Sequence, residues 1–348
     1  MYVDAHLHSA DYSDCCTEAG IPEQIPPAAG FCCSAHDHTE YERHRLFQQH
    51  SVCSSFDQYS KTNYTGNQTI AQTGATTEYS TAPFQTEIYD DHWNYAEKSA
   101  IALNPAPILF SFGIHPQNPV TEEADFLYHL LETKQIQAIG ECGFDLFNAA
   151  YQQTLPAQQK VWQMQVQWAY KFQVPIVIHC RKALPLLFAE TAQLKKLPAV
   201  IFHGWGGSPQ EAESFLKKGV NAYFSIGKAV LRGQKSVCKM AAAFDIDRLL
   251  TETDAPYMRL KREAFSHPSD IIAVTAQCAN LRKKGFDALQ QTEGIQQYES
   301  SAAALADISC DSDTVKAFTD RIAHNFQRAF MLSGTAKHYI SVFRGSRS

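Results

Sequence analysis

The hydrophobic pattern of this chain predicts an α/β protein folded as a (β/α)8 TIM-type barrel. Three observations carry that expectation. About eight short runs of β-branched and apolar residues recur along the 348 residues, as in a parallel sheet covered on both faces. Stretches of helical length separate most of them, the rhythm of repeated βα units. The polar residues richest in chemistry stand just after those runs, where a barrel gathers its active site.

The first run is Met1-Tyr2-Val3-Asp4-Ala5-His6-Leu7-His8. Strand alternation puts His6 and His8 on one face with Asp4 below them. Two imidazoles converging at a strand end make half of a site for a borderline metal. The second strand is read at residues 31–34 and the third at 108–113. Residues 136–140 lead into Glu141, residues 174–178 into His179, and residues 199–202 into His203. The seventh strand spans 220–226, and the eighth, from 248, runs into Asp254. Helical patterns are read at about 122–134, 155–172, 184–196, 209–217 and 236–244, with another beginning around Asp91.

Two polar stretches break the rhythm. Residues 51–86, rich in Ser, Thr, Gln, Asn and Tyr, follow the second strand and read as a surface insertion. A second insertion, 285–311, precedes the last helix. The predicted organisation is one barrel over residues 1–335 and a C-terminal tail over 336–348, basic and frayed at its end.

Composition narrows the classes. No apolar stretch approaches the ~20 residues of a membrane helix, and no basic segment followed by an apolar core opens the chain. A cytoplasmic location is expected. The ten cysteines include two adjacent pairs and no C-x-x-C, which speaks for free thiols in a reducing compartment rather than a disulfide frame. Cys142 and Cys180 read as packing thiols turned away from the pocket. A formal charge of −6 argues against a sequence-independent grip on long duplex. It leaves room for a nucleic-acid end entering a locally positive pocket.

Six candidate metal ligands therefore stand at strand ends: His6, His8, Glu141, His179, His203 and Asp254. Other histidines read as solvated. His36, His38, His44 and His50, interleaved with Glu40, Glu42, Arg43 and Arg45, are expected on an exposed helix face. His92, His129, His267, His324 and His338 are read the same way.

In order and spacing, these residues closely resemble the TatD family of metal-dependent deoxyribonucleases, a branch of the amidohydrolase-like barrel hydrolases. The opening Asp-x-His-x-His is Asp4, His6, His8. Gly113-Ile114-His115-Pro116 follows strand three, and Gly140-Glu141-Cys142-Gly143-Phe144-Asp145 covers strand four. His179-Cys180-Arg181, Phe202-His203 and the Glu-Thr-Asp-Ala-Pro-Tyr at 252–257 complete the series, and Asn325 and Phe330 fit the family's terminal helix. The loop after Tyr257 departs from the family: its usual Asn-x-Pro is missing.

The resemblance implies roles. His6, His8 and Asp254 would hold one divalent ion, His179 and His203 a second, with Glu141 between them. Magnesium, manganese or zinc are the candidate metals, at one or two per chain. Asp254 would also serve as general base, with Glu141 and Glu252 among the catalytic carboxylates; Glu252 would orient a ligand or the attacking water. Arg181, His115 and Lys228 would contact the phosphate, and Asp145 would orient the Glu141 loop. Many carbonyl-hydrolysing relatives carry a modified lysine where this chain has Glu141. The expected activity is hydrolysis of phosphodiester bonds in DNA, as an exonuclease on single strands or strand ends. The expected partner is DNA or another phosphodiester, with no membrane and no stable protein partner. The alternative is a metal-dependent amide, ester or lactone hydrolase on the same barrel.

Overall fold

The computed structural model describes residues 1–26, 29–44, 108–285 and 296–332. The expected insertion at 51–86, the helix near Asp91, the tail at 336–348 and His50, His92 and His338 lie outside those residues.

Eight parallel strands form one sheet in sequence order: β1 Tyr2–Leu7, β2 Ala29–Ala35, β3 Ile108–Phe112, β4 Ala138–Asp145, β5 Ile176–Arg181, β6 Val200–Phe202, β7 Ala222–Ile226 and β8 Leu249–Thr251. This is the predicted barrel. Helices follow the strands: α1 Ser9–Ala19, α2 Ala124–Glu132, α3 Ala149–Gln153, α4 Leu155–Phe172, α5 Leu184–Ala189, α6 Thr191–Leu194, α7 Pro209–Lys217, α8 Lys235–Ala243, α9 Ile271–Lys284, α10 Ser301–Asp307 and α11 Ser312–Ala329. The single helix read at 184–196 is two, broken at Glu190. Among the described residues, no helix is long and apolar enough to cross a membrane.

Local chemistry sets these boundaries. Ser208 caps α7: its hydroxyl accepts from the Glu211 N–H at 3.2 Å, while the Glu211 carboxylate accepts from the Ser208 N–H at 2.6 Å. Pro209 then occupies the first turn, where its missing donor costs nothing. Strand alternation sends Phe202 outward onto Phe224 and the Phe215 ring of α7, at centroid distances of 5.2 and 4.7 Å. His203, the next residue, consequently turns inward. Within the expected insertion at 285–311, α10 forms, and the Glu263 carboxylate accepts from the Ser301 N–H at 2.7 Å.

The seam between β8 and β1 is closed partly by side chains. Thr251 Oγ1 donates to the Val3 carbonyl at 2.9 Å. Asp4 accepts from the Thr253 N–H at 2.9 Å and from its hydroxyl at 2.5 Å. Beyond the strand ends, the Asp254 N–H donates to the His6 carbonyl at 3.0 Å and the His8 N–H to the Ala255 carbonyl at 2.8 Å. The bonds that close the barrel thus fix three candidate metal ligands.

Helix α11 lies over this seam, against β1 and β8. Its fully buried Asn325 donates from Nδ2 to the carbonyls of Ile246, at 2.6 Å, and Leu249, at 2.9 Å. Asn325→Ala leaves both acceptors without that donor, so unfolding free energy should fall by about 2–4 kcal/mol in urea titrations. A change below about 0.5 kcal/mol, usual for surface positions, contradicts the anchoring role.

Candidate metal centre

Glu141 occupies the middle of the barrel mouth because β4 approaches β5 unusually closely. Gly143 has φ of +140°, and a Cβ there would sit 2.1 Å from the His179 carbonyl oxygen. Only glycine permits that approach. The Glu141 side chain is buried, and each of its oxygens faces a different set of imidazoles. Oε1 lies 2.7 Å from His6 Nε2 and 2.9 Å from His8 Nε2. Oε2 lies 3.0 Å from His203 Nε2 and 3.1 Å from His179 Nδ1. Asp254 completes the first set, its Oδ1 3.6 Å from His6 Nε2 and 3.7 Å from His8 Nε2. All six candidate ligands are thus brought together.

The donor set fits divalent cations. Ligands held about 2.0–2.2 Å from one ion stand roughly 2.8–3.6 Å apart in octahedral or tetrahedral geometry. His6 Nε2 and His8 Nε2 are 3.2 Å apart, and His179 Nδ1 and His203 Nε2 are 3.3 Å apart. Imidazole nitrogens aimed at each other in this way present lone pairs to a common point. An ionised carboxylate only accepts, so it offers no proton to any of those lone pairs. His6, His8, Glu141 and Asp254 form one such group and Glu141, His179 and His203 another.

Behind three of the four inner rings, those of His6, His179 and His203, stands a polar neighbour, the arrangement that orients metal-binding histidines, whereas His8 Nδ1 is buried without a hydrogen-bond partner. Ser34 Oγ is 3.0 Å from His6 Nδ1 and 2.6 Å from Ser111 Oγ. Asp145 Oδ2 is 3.1 Å from His179 Nε2 and accepts from Gln117 Nε2 at 2.8 Å. Glu252 Oε1 lies 3.5 Å from His203 Nδ1 and accepts from the Gly204 N–H at 2.5 Å. Glu252, expected to orient a ligand or the water, is fully buried behind the candidate ligand His203. Asp145 also accepts from the Phe147 N–H of its own loop at 2.8 Å.

The electrostatics follow from this crowding. Burial alone would push the Glu141 carboxyl up, but the charges of His203 and His6 outweigh it and hold the group well below its usual range. Burial pulls His8 down, and its contact with Glu141 reverses that, to about 9. Burial also raises Asp145, yet its bonds to His179 and Gln117 bring it to about 2. Burial raises the Asp254 carboxyl against the opposing charges of His203 and His6. Its backbone sits at φ of +55°, a region tolerated by Asp and worth noting at a functional position.

At the rim, Arg181 carries its guanidinium 4.0 Å above the ring of Phe147, which is 47% exposed. Lys182 Nζ lies 4.6 Å from the same ring. His115 Nε2 is 3.4 Å from Glu141 Oε2. Tyr257, half-exposed, has its ring 5.1 Å from that of His8.

Lys228 is a correction. It is fully buried, and its ammonium is held at 2.5 Å by both Glu263 and Asp270, so it ties the loop after β8 to the barrel and is not presented to a phosphate. The exposed helix face read around residues 36–50 is also corrected in its described part. His38 is exposed, but His44 is buried with Nδ1 2.8 Å from Ser9 Oγ, and His36 lies at the site, Nε2 3.8 Å from Glu141 Oε1. The missed signal was positional: His36 directly follows β2, a C-terminal strand end like the others. His267 also has a partner, the Tyr12 hydroxyl at 3.1 Å, whereas His129 and His324 are exposed as read. The nine described cysteines are free, and Cys142 packs in the core.

Comparison with known proteins identifies relatives of the chain. Residues 35–296 match the family model described as TatD related DNase. A protein of Dickeya dadantii (strain 3937) named 3'-5' ssDNA/RNA exonuclease TatD is 32% identical over 161 residues, which cover 45% of this chain and 60% of that protein. The protein of the same name from Cronobacter turicensis is 34% identical over 178 residues, covering 49% and 65%. The chain thus spans less than two thirds of these relatives' length. Among solved structures, YJJV, a TatD homologue of Escherichia coli K12, aligns with a TM-score of 0.58 at 18% identity, over 95% of this chain and 98% of its own. A TatD family hydrolase of Entamoeba histolytica aligns with a TM-score of 0.50 at 13% identity, over 94% and 97%. Those structural likenesses speak to the barrel. By its family-model match over most of its length, the chain belongs to the TatD related DNase family.

Proposed function

We propose that this protein is a divalent-metal-dependent hydrolase that removes nucleotides from the ends of single-stranded nucleic acid. The observation that carries the proposal is the Glu141 carboxylate, whose two oxygens each face a separate pair of imidazoles. Two ions fit that arrangement better than one. His6, His8 and Asp254 would hold the first, His179 and His203 the second, with Glu141 shared. The imidazole-rich set suits zinc, while the carboxylates admit manganese or magnesium. When bound, such ions supply a water activated near neutral pH and neutralise charge on a phosphodiester.

The chain's own groups do the rest. Asp254, its carboxyl raised by burial, is placed to accept the proton of the attacking water. Ser34, Asp145 and Glu252 hold their rings in fixed orientations, so little rearrangement accompanies the reaction. Arg181 and His115 face the mouth and would bind phosphate oxygens. Phe147 offers an exposed aromatic surface beside the Arg181 and Lys182 cations, and stacking plus positive charge is how single strands are held without sequence preference. The names of the Dickeya and Cronobacter relatives agree with a strand-end substrate. Free cysteines are consistent with a cytoplasmic setting.

End-labelled single strands incubated with manganese or magnesium should shorten stepwise, from the 3' end if the relatives' polarity holds. EDTA should abolish this, and Asp254→Asn should lower kcat by about 10²–10⁴-fold. Uncleaved strands in the presence of bound metal would sink the nuclease reading.

Phe147→Ala, measured by fluorescence anisotropy in the Asp254→Asn background, should weaken binding of a short single strand by about 1–3 kcal/mol. Phe147→Trp should retain it. Equal affinity in all three proteins contradicts a stacking role.

A further inference from the structure

Around Glu141 the imidazoles close a ring. His6, His8, His36, His115, His179 and His203 follow one another at centroid spacings of 5.0, 5.0, 4.8, 4.6 and 5.5 Å, and His203 returns to His6 at 4.3 Å. Four of these rings approach the carboxylate within 3.1 Å. His36 and His115 stand farther off, at 3.8 and 3.4 Å, and fill the arc between the two ligand pairs.

His36 is built to face that arc. Its N–H donates to Glu40 Oε2 at 2.7 Å, and the Glu40 N–H donates to Asp37 Oδ1 at 2.9 Å, which locks the turn after β2. Its ring lies between those of His8 and His115. Nε2 is buried and has no hydrogen-bond partner, although the side chain is 25% exposed. A buried ring nitrogen left unpaired at the edge of an open site calls for an incoming partner. His115 differs from the inner histidines in one informative way: its Nδ1 accepts from the Gln117 N–H at 3.2 Å. In the neutral ring this puts the proton on Nε2, making it a donor toward the centre rather than a metal ligand.

We propose that His36 and His115 form a paired imidazole clamp for the oxygens of the reacting phosphate, with His36 a substrate-binding residue at the barrel mouth. The inference rests on the phosphodiesterase reading. An anion bridging the two inner ligand sets meets these two rings on its outer side. The chemistry suits a phosphate group rather than a carbonyl substrate, because the His115 N–H, joined by His36 when its proton is on Nε2, matches the extra oxygens of a phosphate.

The test compares the wild type with His36→Ala, His36→Gln and, as a neighbouring exposed control, His38→Ala. Bound manganese is counted from the loss of the free-ion electron paramagnetic resonance signal. Inorganic phosphate binding to the manganese-loaded proteins is measured calorimetrically, and KM and kcat are measured on a short single strand. His36→Ala should weaken phosphate binding and raise KM about 10-fold. His36→Gln should recover part of the loss, and His38→Ala should match the wild type, all with manganese stoichiometry unchanged. Unchanged phosphate affinity in His36→Ala overturns the clamp. A lower manganese count in that variant also overturns it, by making His36 a ligand of an ion. If the wild type binds manganese but neither binds phosphate nor cleaves, the phosphodiesterase reading fails first. If it cleaves and His36→Ala behaves identically, only the clamp fails.

Discussion

A single buried carboxylate sets the terms for the rest of the molecule. Glu141 stays ionised although burial opposes its charge, and it does so because imidazoles surround it. A charge removed from water survives only with close, well-oriented partners. Those partners come from strands far apart in sequence, so their convergence requires the closed arrangement of parallel strands. It also requires β4 to press against β5, where Gly143 leaves no room for a side chain.

The seam between β1 and β8 shows how fold and site depend on each other. Asp4 bridges the strands through Thr253, and the backbone bonds just beyond place His6, His8 and Asp254. The Asp254 backbone takes an uncommon left-handed conformation there. Helix α11 then covers the seam, with Asn325 reaching the carbonyls of Ile246 and Leu249. The last helix is thus anchored at the start of the strand that leads into Asp254.

Much of this was legible in the sequence because two simple rules applied. Apolar runs of strand length marked β1 to β8, and the first polar residue after a run marked a position at the mouth. His36 obeys the second rule but was absorbed into a run of charged residues that reads as a helix surface. Lys228 failed for a different reason. Nothing near it in sequence announces Glu263 and Asp270, which reach it only because the loop after β8 folds back. The same long-range packing hid the position of Glu252 behind His203. Phe147 lies two residues past the Gly-Glu-x-Gly-x-Asp motif, with nothing in the sequence to single it out, and its exposure is visible only in three dimensions.

The central claim is that Glu141 is shared between two cation positions. Anomalous diffraction from manganese-soaked crystals tests it directly. Two peaks about 3.5–4 Å apart, one beside Oε1 with His6 and His8 and the other beside Oε2 with His179 and His203, are the predicted result. A single peak served by both oxygens, or two peaks that leave Glu141 uncoordinated, would contradict it.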